Sequence, residues 1–210
     1  MASQPVSNDE HPGDEHAADR RRDDRFVTIF RAGKLTHGGE EQLCMLRNIS
    51  ANGAMLNHNI VMARGDEVVL DLRCDERMAA RVAWVDGDKC GVAFHGLADL
   101  ERLLARHGSE KLRPRPPRLR LEAAAKVKAG DRLIDVVLRD ISQNGACFRG
   151  DPLLMPKEPE LRLILPELGD YRAIVRWRRQ KFVGVSFAST LPMWPLNDWV
   201  RRNRKAPAAL

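Results

Sequence analysis

Apolar and polar residues alternate along most of this chain at the spacing of two that a β-strand requires. EVVLDLRC (67–74) and ELRLILPEL (160–168) alternate over several residues, as half-buried strands do. EQLCMLRNI (41–49) and LIDVVLRDI (133–141) keep apolar positions at strand spacing and then break at a Ser/Asn/Gly turn. FVTIFRAGKL (26–35) and RLRLEAAAKV (118–127) are strand-like as well, and turn signals recur at HGGE, ANG, DGDK, AGD and QNG. Short strands punctuated this often predict a sandwich or a small barrel. Two stretches change period. Leucines in LADLERLLARHG (97–108) fall at helical spacing with Gly108 placed to stop the helix, and PLNDWVRRN (195–203) reads as a short helix with Pro195 in its first turn.

The pattern is written twice. RNISANGAML (47–56) and RDISQNGACF (139–148) share six of ten letters at an offset of 92. Downstream, RVAWVDGDKCGVAF (81–94) matches IVRWRRQKFVGVSF (174–187), which aligns Trp84 with Trp177, Gly91 with Gly184 and Phe94 with Phe187 at an offset of 93. A period this long predicts two homologous domains in tandem rather than a solenoid. The equivalent positions of Trp84 and Trp177 suggest a shared role in the two cores, and Trp194 and Trp199 are placed to dock the last helix.

Composition changes this picture little, but charge does. The 210 residues are 43% hydrophobic and 30% charged, ordinary for a globular protein. No apolar run is long enough to span a membrane and the first residues lack a signal-peptide core, so a cytoplasmic protein without membrane insertion is expected. The four cysteines form no CxxC pair and read as small buried hydrophobes. The net charge of +6 hints at an anionic partner. It is unevenly laid out: residues 1–19 hold five acids and no Lys or Arg, and basic runs follow at RRRDDR (20–25), KLRPRPPRLR (111–120) and RRNRK (201–205). Those runs lack the aromatic interleaving of a nucleic-acid reader, so nucleic acid is not the expected partner.

Two features carry candidate chemistry. In the repeated turn, Asn48, Ser50 and Gly53 form [D/N]xSxxG. A short polar side chain can cap its own turn there, and the glycine suits a positive φ or a close approach by another group. By itself this reads as a structural turn. Ahead of the first strand, RRRDDR sets Arg21 and Arg25 four apart. Guanidinium forks bind phosphate oxygens and the O6/N7 edge of guanine, while the Asn48 amide oxygen can accept from guanine's N1–H or N2–H₂. An arginine arm closing on a fixed polar turn is a clamp for an anionic guanine nucleotide.

Together, Arg21-Arg22-Asp23-Asp24-Arg25 as RxxxR and Asn48-Ile49-Ser50-Ala51-Asn52-Gly53 as [D/N]xSxxG closely resemble the PilZ family, and GVAF and GVSF are similar to its closing strand. The resemblance covers roughly 20–108 and 113–203. It implies an all-β protein with short helices: two tandem six-stranded β-barrels, each followed by a C-terminal helix. It also implies a receptor for the bacterial second messenger cyclic di-GMP. By position, Arg21 and Arg25 would form the arm and Asn48, Ser50 and Gly53 the platform, with Arg20 and Arg22 as further candidates. The expected layout is an acidic tail (1–19), a first barrel (20–110), a basic proline-rich linker (111–118), a second barrel (119–204) and a short tail (205–210).

The second unit keeps Asp140, Ser142 and Gly145 but loses RxxxR: Arg113 stands at the position of Arg21, and Pro117 at that of Arg25. Arg113 and Arg118 remain as additional candidates, with the linker able to add positive charge to a ligand held between the barrels. The resemblance implies control of motility, biofilm or exopolysaccharide through a protein partner. The competing expectation is an adaptor that binds no ligand, as in family members that have lost binding. No catalytic motif, metal-ligand spacing or cofactor site is present, and an enzyme is not expected.

Overall fold

The computed structural model describes residues 27–73, 76–104, 116–150 and 159–204. They form two closed six-stranded antiparallel barrels and two helices. The first barrel comprises β1 (Val27–His37), β2 (Glu40–Ile49), β3 (Gly53–Asn57), β4 (Glu67–Arg73), β5 (Glu76–Asp86) and β6 (Lys89–Phe94), followed by α1 (Leu100–Leu104). The second comprises β7 (Leu119–Ala129), β8 (Arg132–Ser142), β9 (Gly145–Arg149), β10 (Glu160–Leu165), β11 (Gly169–Arg179) and β12 (Phe182–Phe187), followed by α2 (Met193–Asn203). The strand order β1-β2-β3-β6-β5-β4 recurs as β7-β8-β9-β12-β11-β10, so the duplication seen in the letters is also a duplication of topology. Closure removes the exposed edges that a six-stranded sheet would otherwise present. Among the described residues no helix is long and apolar enough to cross a membrane.

Alternation builds each interior. In β7 every second residue from Leu119 to Val127 is buried and its neighbours are exposed. Leu35, Leu46, Ile49, Leu56 and Leu70 fill the first barrel; Val127, Leu138, Ile141, Phe148 and Leu163 fill the second. Helix α2 seals the second barrel with Leu196, Trp199 and Val200. Trp199 is fully buried and its Nε1–H donates to the Pro166 carbonyl at 2.6 Å, the docking role expected of it, whereas Trp194 is partly exposed. Cys44, Cys90 and Cys147 are buried free thiols. Burial pushes Cys90 up to about 11 and Cys44 also upward, away from reactivity at neutral pH.

The barrels are joined through β2. Its burial breaks alternation because both faces are covered: Cys44 and Leu46 point into the first barrel, while Leu43 packs into the core of the second. Beyond the end of β3, the outer edge of β2 has no strand neighbour, and Asn197 of α2 takes that place. Its Oδ1 accepts from the Leu43 N–H and its Nδ2 donates to the Leu43 carbonyl, both at 2.8 Å. Nδ2 also reaches Asn59 Oδ1 at 3.0 Å. Glu41 adds a second tie: one carboxylate oxygen accepts from Lys34 Nζ at 2.7 Å, the other from the Arg120 N–H at 3.0 Å, and Arg204 donates to the carbonyls of both Glu41 and Arg120.

Candidate functional site

The turn after β2 is a closed unit. The Ser50 N–H donates to the Gly53 carbonyl at 2.8 Å, and the Ser50 Oγ accepts from the Asn52 N–H at 3.3 Å. The Ala51 and Asn52 carbonyls accept from Ala98 and Phe94, both at 2.8 Å, which ties the turn to the end of β6 and the approach to α1. Gly53 does not take positive φ. It is required by close approach, because a Cβ there would collide with the Val92 carbonyl oxygen; at Gly145 the Val185 carbonyl imposes the same limit. Ser50 and Ser142 are buried, and the Ser142 Oγ donates to the Gly145 carbonyl at 3.2 Å. The serine and glycine of the motif therefore shape the loop, and the first position is left to face outward.

Bulges explain how it does so. Leu46 points into the barrel, and strict alternation would send Asn48 inward too; the irregularity between Leu46 and Asn48 inserts Arg47 and turns Asn48 to the outside. Val82 and Trp84 repeat the device on β5, with Ala83 as the extra residue. Trp84 is 42% exposed, not a core residue as its position in the repeat suggested, and Trp177 is likewise 37% exposed behind a bulge at Arg176. Each indole lies flat over a glycine, Trp84 on Gly91 and Trp177 on Gly184, where any Cβ would strike the ring.

Strand register connects these features. Asn48 pairs with Met55, Met55 with Gly91 and Gly91 with Trp84, a single row running across the outside of the first barrel. β1 begins opposite the end of β2, with Val27 across from Ile49 and Thr28 from Asn48. The arm residues Arg20, Arg21, Arg22 and Arg25 lie outside the described residues, as do Arg113 and Cys74. Alternation misled the sequence reading of Trp84. The usable signal was the glycine seven residues later, which faces it across the hairpin.

The second barrel carries the corresponding row Asp140–Cys147–Gly184–Trp177. Here the carboxylate is engaged: Arg118 Nη1 lies 2.5 Å from Asp140 Oδ1. Burial, then the neighbouring Asp140 charge, raise the Cys147 thiol above its ordinary value, against the pull of Arg139 and Arg118. A cavity of about 470 Å³ opens beside this pair at the junction of the barrels. Lys34 and Asp71 line it from the first barrel, and Pro117, Arg118, Arg120, Arg139 and Asp140 from the second. Four cations against two carboxylates make it a basic recess. Lys34 lies 2.7 Å from Glu41 and 3.3 Å from Asp71, so the recess adjoins the tie between the barrels. Among the described residues, no group of three or more His, Cys, Asp or Glu is placed to hold a metal.

Two closed barrels of one topology, each with a polar turn and an outward tryptophan row, define a duplicated β-barrel binding module. The PilZ domain model matches residues 19–107 and again 112–194, and the chain belongs to the PilZ domain family. No match is found among curated proteins. Among solved structures, the chain is similar to PlzA of Borreliella burgdorferi in complex with c-di-GMP, at 12% identity over 88% of this chain and 94% of that one, with a TM-score of 0.37. It is also similar to the Bacillus subtilis inhibitor of motility MotI/DgrA (16% identity, 84% and 97% covered, TM-score 0.34). A third similar structure is YcgR from Escherichia coli in complex with c-di-GMP (11%, 81% and 80%, 0.29).

Proposed function

We propose that this chain is a cyclic di-GMP receptor and not an enzyme, holding the dinucleotide on the first barrel between an arginine arm and the outward row that ends in Trp84. The observation that carries this reading is the row itself. Two bulges aim Asn48 and Trp84 out of the barrel wall, with Met55 and Gly91 between them, on the barrel whose sequence keeps RxxxR. Asn48 offers an amide to a guanine edge, and the indole offers an apolar wall against the ring. Arg25 lies two residues before Val27, so its Cα is tethered within about 7 Å of the Val27 Cα. Ordering residues 20–26 costs about 1–2 kcal/mol per residue, and bidentate guanidinium–phosphate contacts by Arg21 and Arg25 must exceed that. Ser50 and Gly53 act by holding the turn, and Arg20 and Arg22 add charge.

A second reading concerns the junction recess. With Lys34, Arg118, Arg120 and Arg139 around it, it provides a place for part of the ligand, or for a second copy, between the barrels. Asp140, Ser142 and Gly145 would then serve as its platform, with Arg113 from the linker close in sequence. In either case the output is a change in how the barrels sit across β2 and α2, read by a protein partner controlling motility, biofilm or exopolysaccharide. Tryptophan emission tests the first reading: cyclic di-GMP should quench wild type, and Trp84→Phe should lose that response. An unchanged response in Trp84→Phe rules out Trp84 as the wall.

A further inference from the structure

The two barrels share a backbone but not a charge. Residues 27–104 hold nine Lys and Arg against eleven Asp and Glu, whereas residues 116–204 hold seventeen against ten. The difference is sharpest in one hairpin. After Trp84, the β5–β6 connection reads Val85, Asp86, Gly87, Asp88; after Trp177, the β11–β12 connection reads Arg178, Arg179, Gln180, Lys181. The turns are equivalent: Gly87 has φ of 57° and Gln180 φ of 51°. The second barrel thus places an ordinary side chain in the left-handed region in order to keep the same turn while replacing its acids with bases. Arg176, Arg178, Arg179 and Lys181 are all exposed, and Trp177 lies among them. Arg149 on β9 extends the basic face, since it pairs in register with Phe182. The Phe182 ring has the Arg139 guanidinium 5.1 Å and the Lys181 ammonium 5.9 Å from its centroid.

We propose that the β11–β12 hairpin is a docking surface for single-stranded nucleic acid. The concentration of positive charge on one hairpin of one barrel selects a polyanion, because the same hairpin in the sister barrel shows that the fold does not require it. The exposed indole selects unpaired bases among polyanions. One face rests on Gly184, leaving the rest of the ring open for a base to stack on, with guanidiniums on both sides to meet phosphates. These arginines lie on a strand pair distinct from the linker and C-terminal basic runs, and the proposal is independent of where, or whether, cyclic di-GMP binds.

The test uses the full chain and a fluorescently labelled oligothymidylate of about 20 nucleotides, followed by anisotropy between roughly 50 and 200 mM salt. The comparison is the triple variant Arg178→Val/Arg179→Asp/Lys181→Asp, which installs the side chains that the first barrel already carries on this turn. Thermal unfolding verifies that it folds. Wild type should bind with steep salt dependence. The variant should bind at least about tenfold more weakly at low salt, with a log–log slope smaller by about 2, or about 0.7 for each phosphate no longer neutralised. Trp177→Ala should weaken binding without changing the slope. Equal affinity in wild type and the triple variant overturns the assignment. So does a duplex bound as tightly as the single strand, or a polyglutamate peptide bound where the oligonucleotide is not, which would make the surface a dock for acidic protein.

Discussion

Removing the Asn197 side chain should uncouple the two barrels. Asn197 is 5% exposed and supplies both hydrogen bonds to the peptide groups of Leu43 across a sequence separation of 154 residues. In Asn197→Ala the Leu43 N–H and C=O lose their partners inside an interface. A buried polar group left unsatisfied costs about 1–3 kcal/mol. Two such groups, partly relieved by water entering at the junction, give a loss of about 2–5 kcal/mol. For a chain of this size each kcal/mol shifts Tm by about 2–4 °C, so a drop of about 5–15 °C is expected. Urea unfolding followed by tryptophan fluorescence measures it. Besides a lower midpoint, the single transition should broaden or split, since the clamp is part of what makes the barrels unfold as one. Asn203→Ala is the control. Asn203 caps the Trp199 carbonyl within α2 at 3.0 Å and touches neither β2 nor Asn59, so its loss should cost about 1 kcal/mol without splitting the transition. Stability of Asn197→Ala within about 0.5 kcal/mol of wild type, with an unchanged slope, would refute the clamp.

Two further outcomes follow from the same geometry. Gly53→Ala drives a methyl group into the Val92 carbonyl; it should destabilise the first barrel by about 1–3 kcal/mol, seen as a lower urea midpoint. Serine at Asn48, on the outer face, should leave that midpoint nearly unchanged. Burial raises the Glu41 carboxyl, but the Lys34 hydrogen bond, the Arg120 N–H and the charges of Lys34 and Arg204 outweigh it and hold the group below its ordinary value. A carboxylate depressed in the folded state contributes stability that is complete above its ordinary value near 4.5 and is lost as pH falls through the lowered one. Wild type should therefore lose more stability than Glu41→Gln between about pH 5 and pH 3, and parallel curves would show that Glu41 carries no such coupling.

Much of the fold was legible because alternation and the repeated turn are local signals. β7 alternates in structure as it does in sequence, and the [D/N]xSxxG turn closes on itself within four residues. What could not be read has two physical origins. A bulge adds one residue and reverses the face of everything that follows it, so Trp84 and Trp177, two residues after core valines, look buried and are not. Contacts between domains leave no periodic trace either. Leu43 looks like any apolar strand residue, yet it belongs to the core of the other barrel, and Asn197 looks like a surface amide on an amphipathic helix. Asp140 keeps the motif's letter, but the Arg118 that engages it comes from outside the RxxxR frame.

Titration calorimetry with cyclic di-GMP tests the central claim most directly, comparing wild type with Arg21→Ala/Arg25→Ala and with Asp140→Ala. The account predicts binding to wild type that is abolished in the arginine double variant and retained in Asp140→Ala. Loss in both variants would move the site to the junction of the barrels. The absence of any heat or competition in wild type would contradict the receptor reading and leave a PilZ adaptor that works through protein contacts alone.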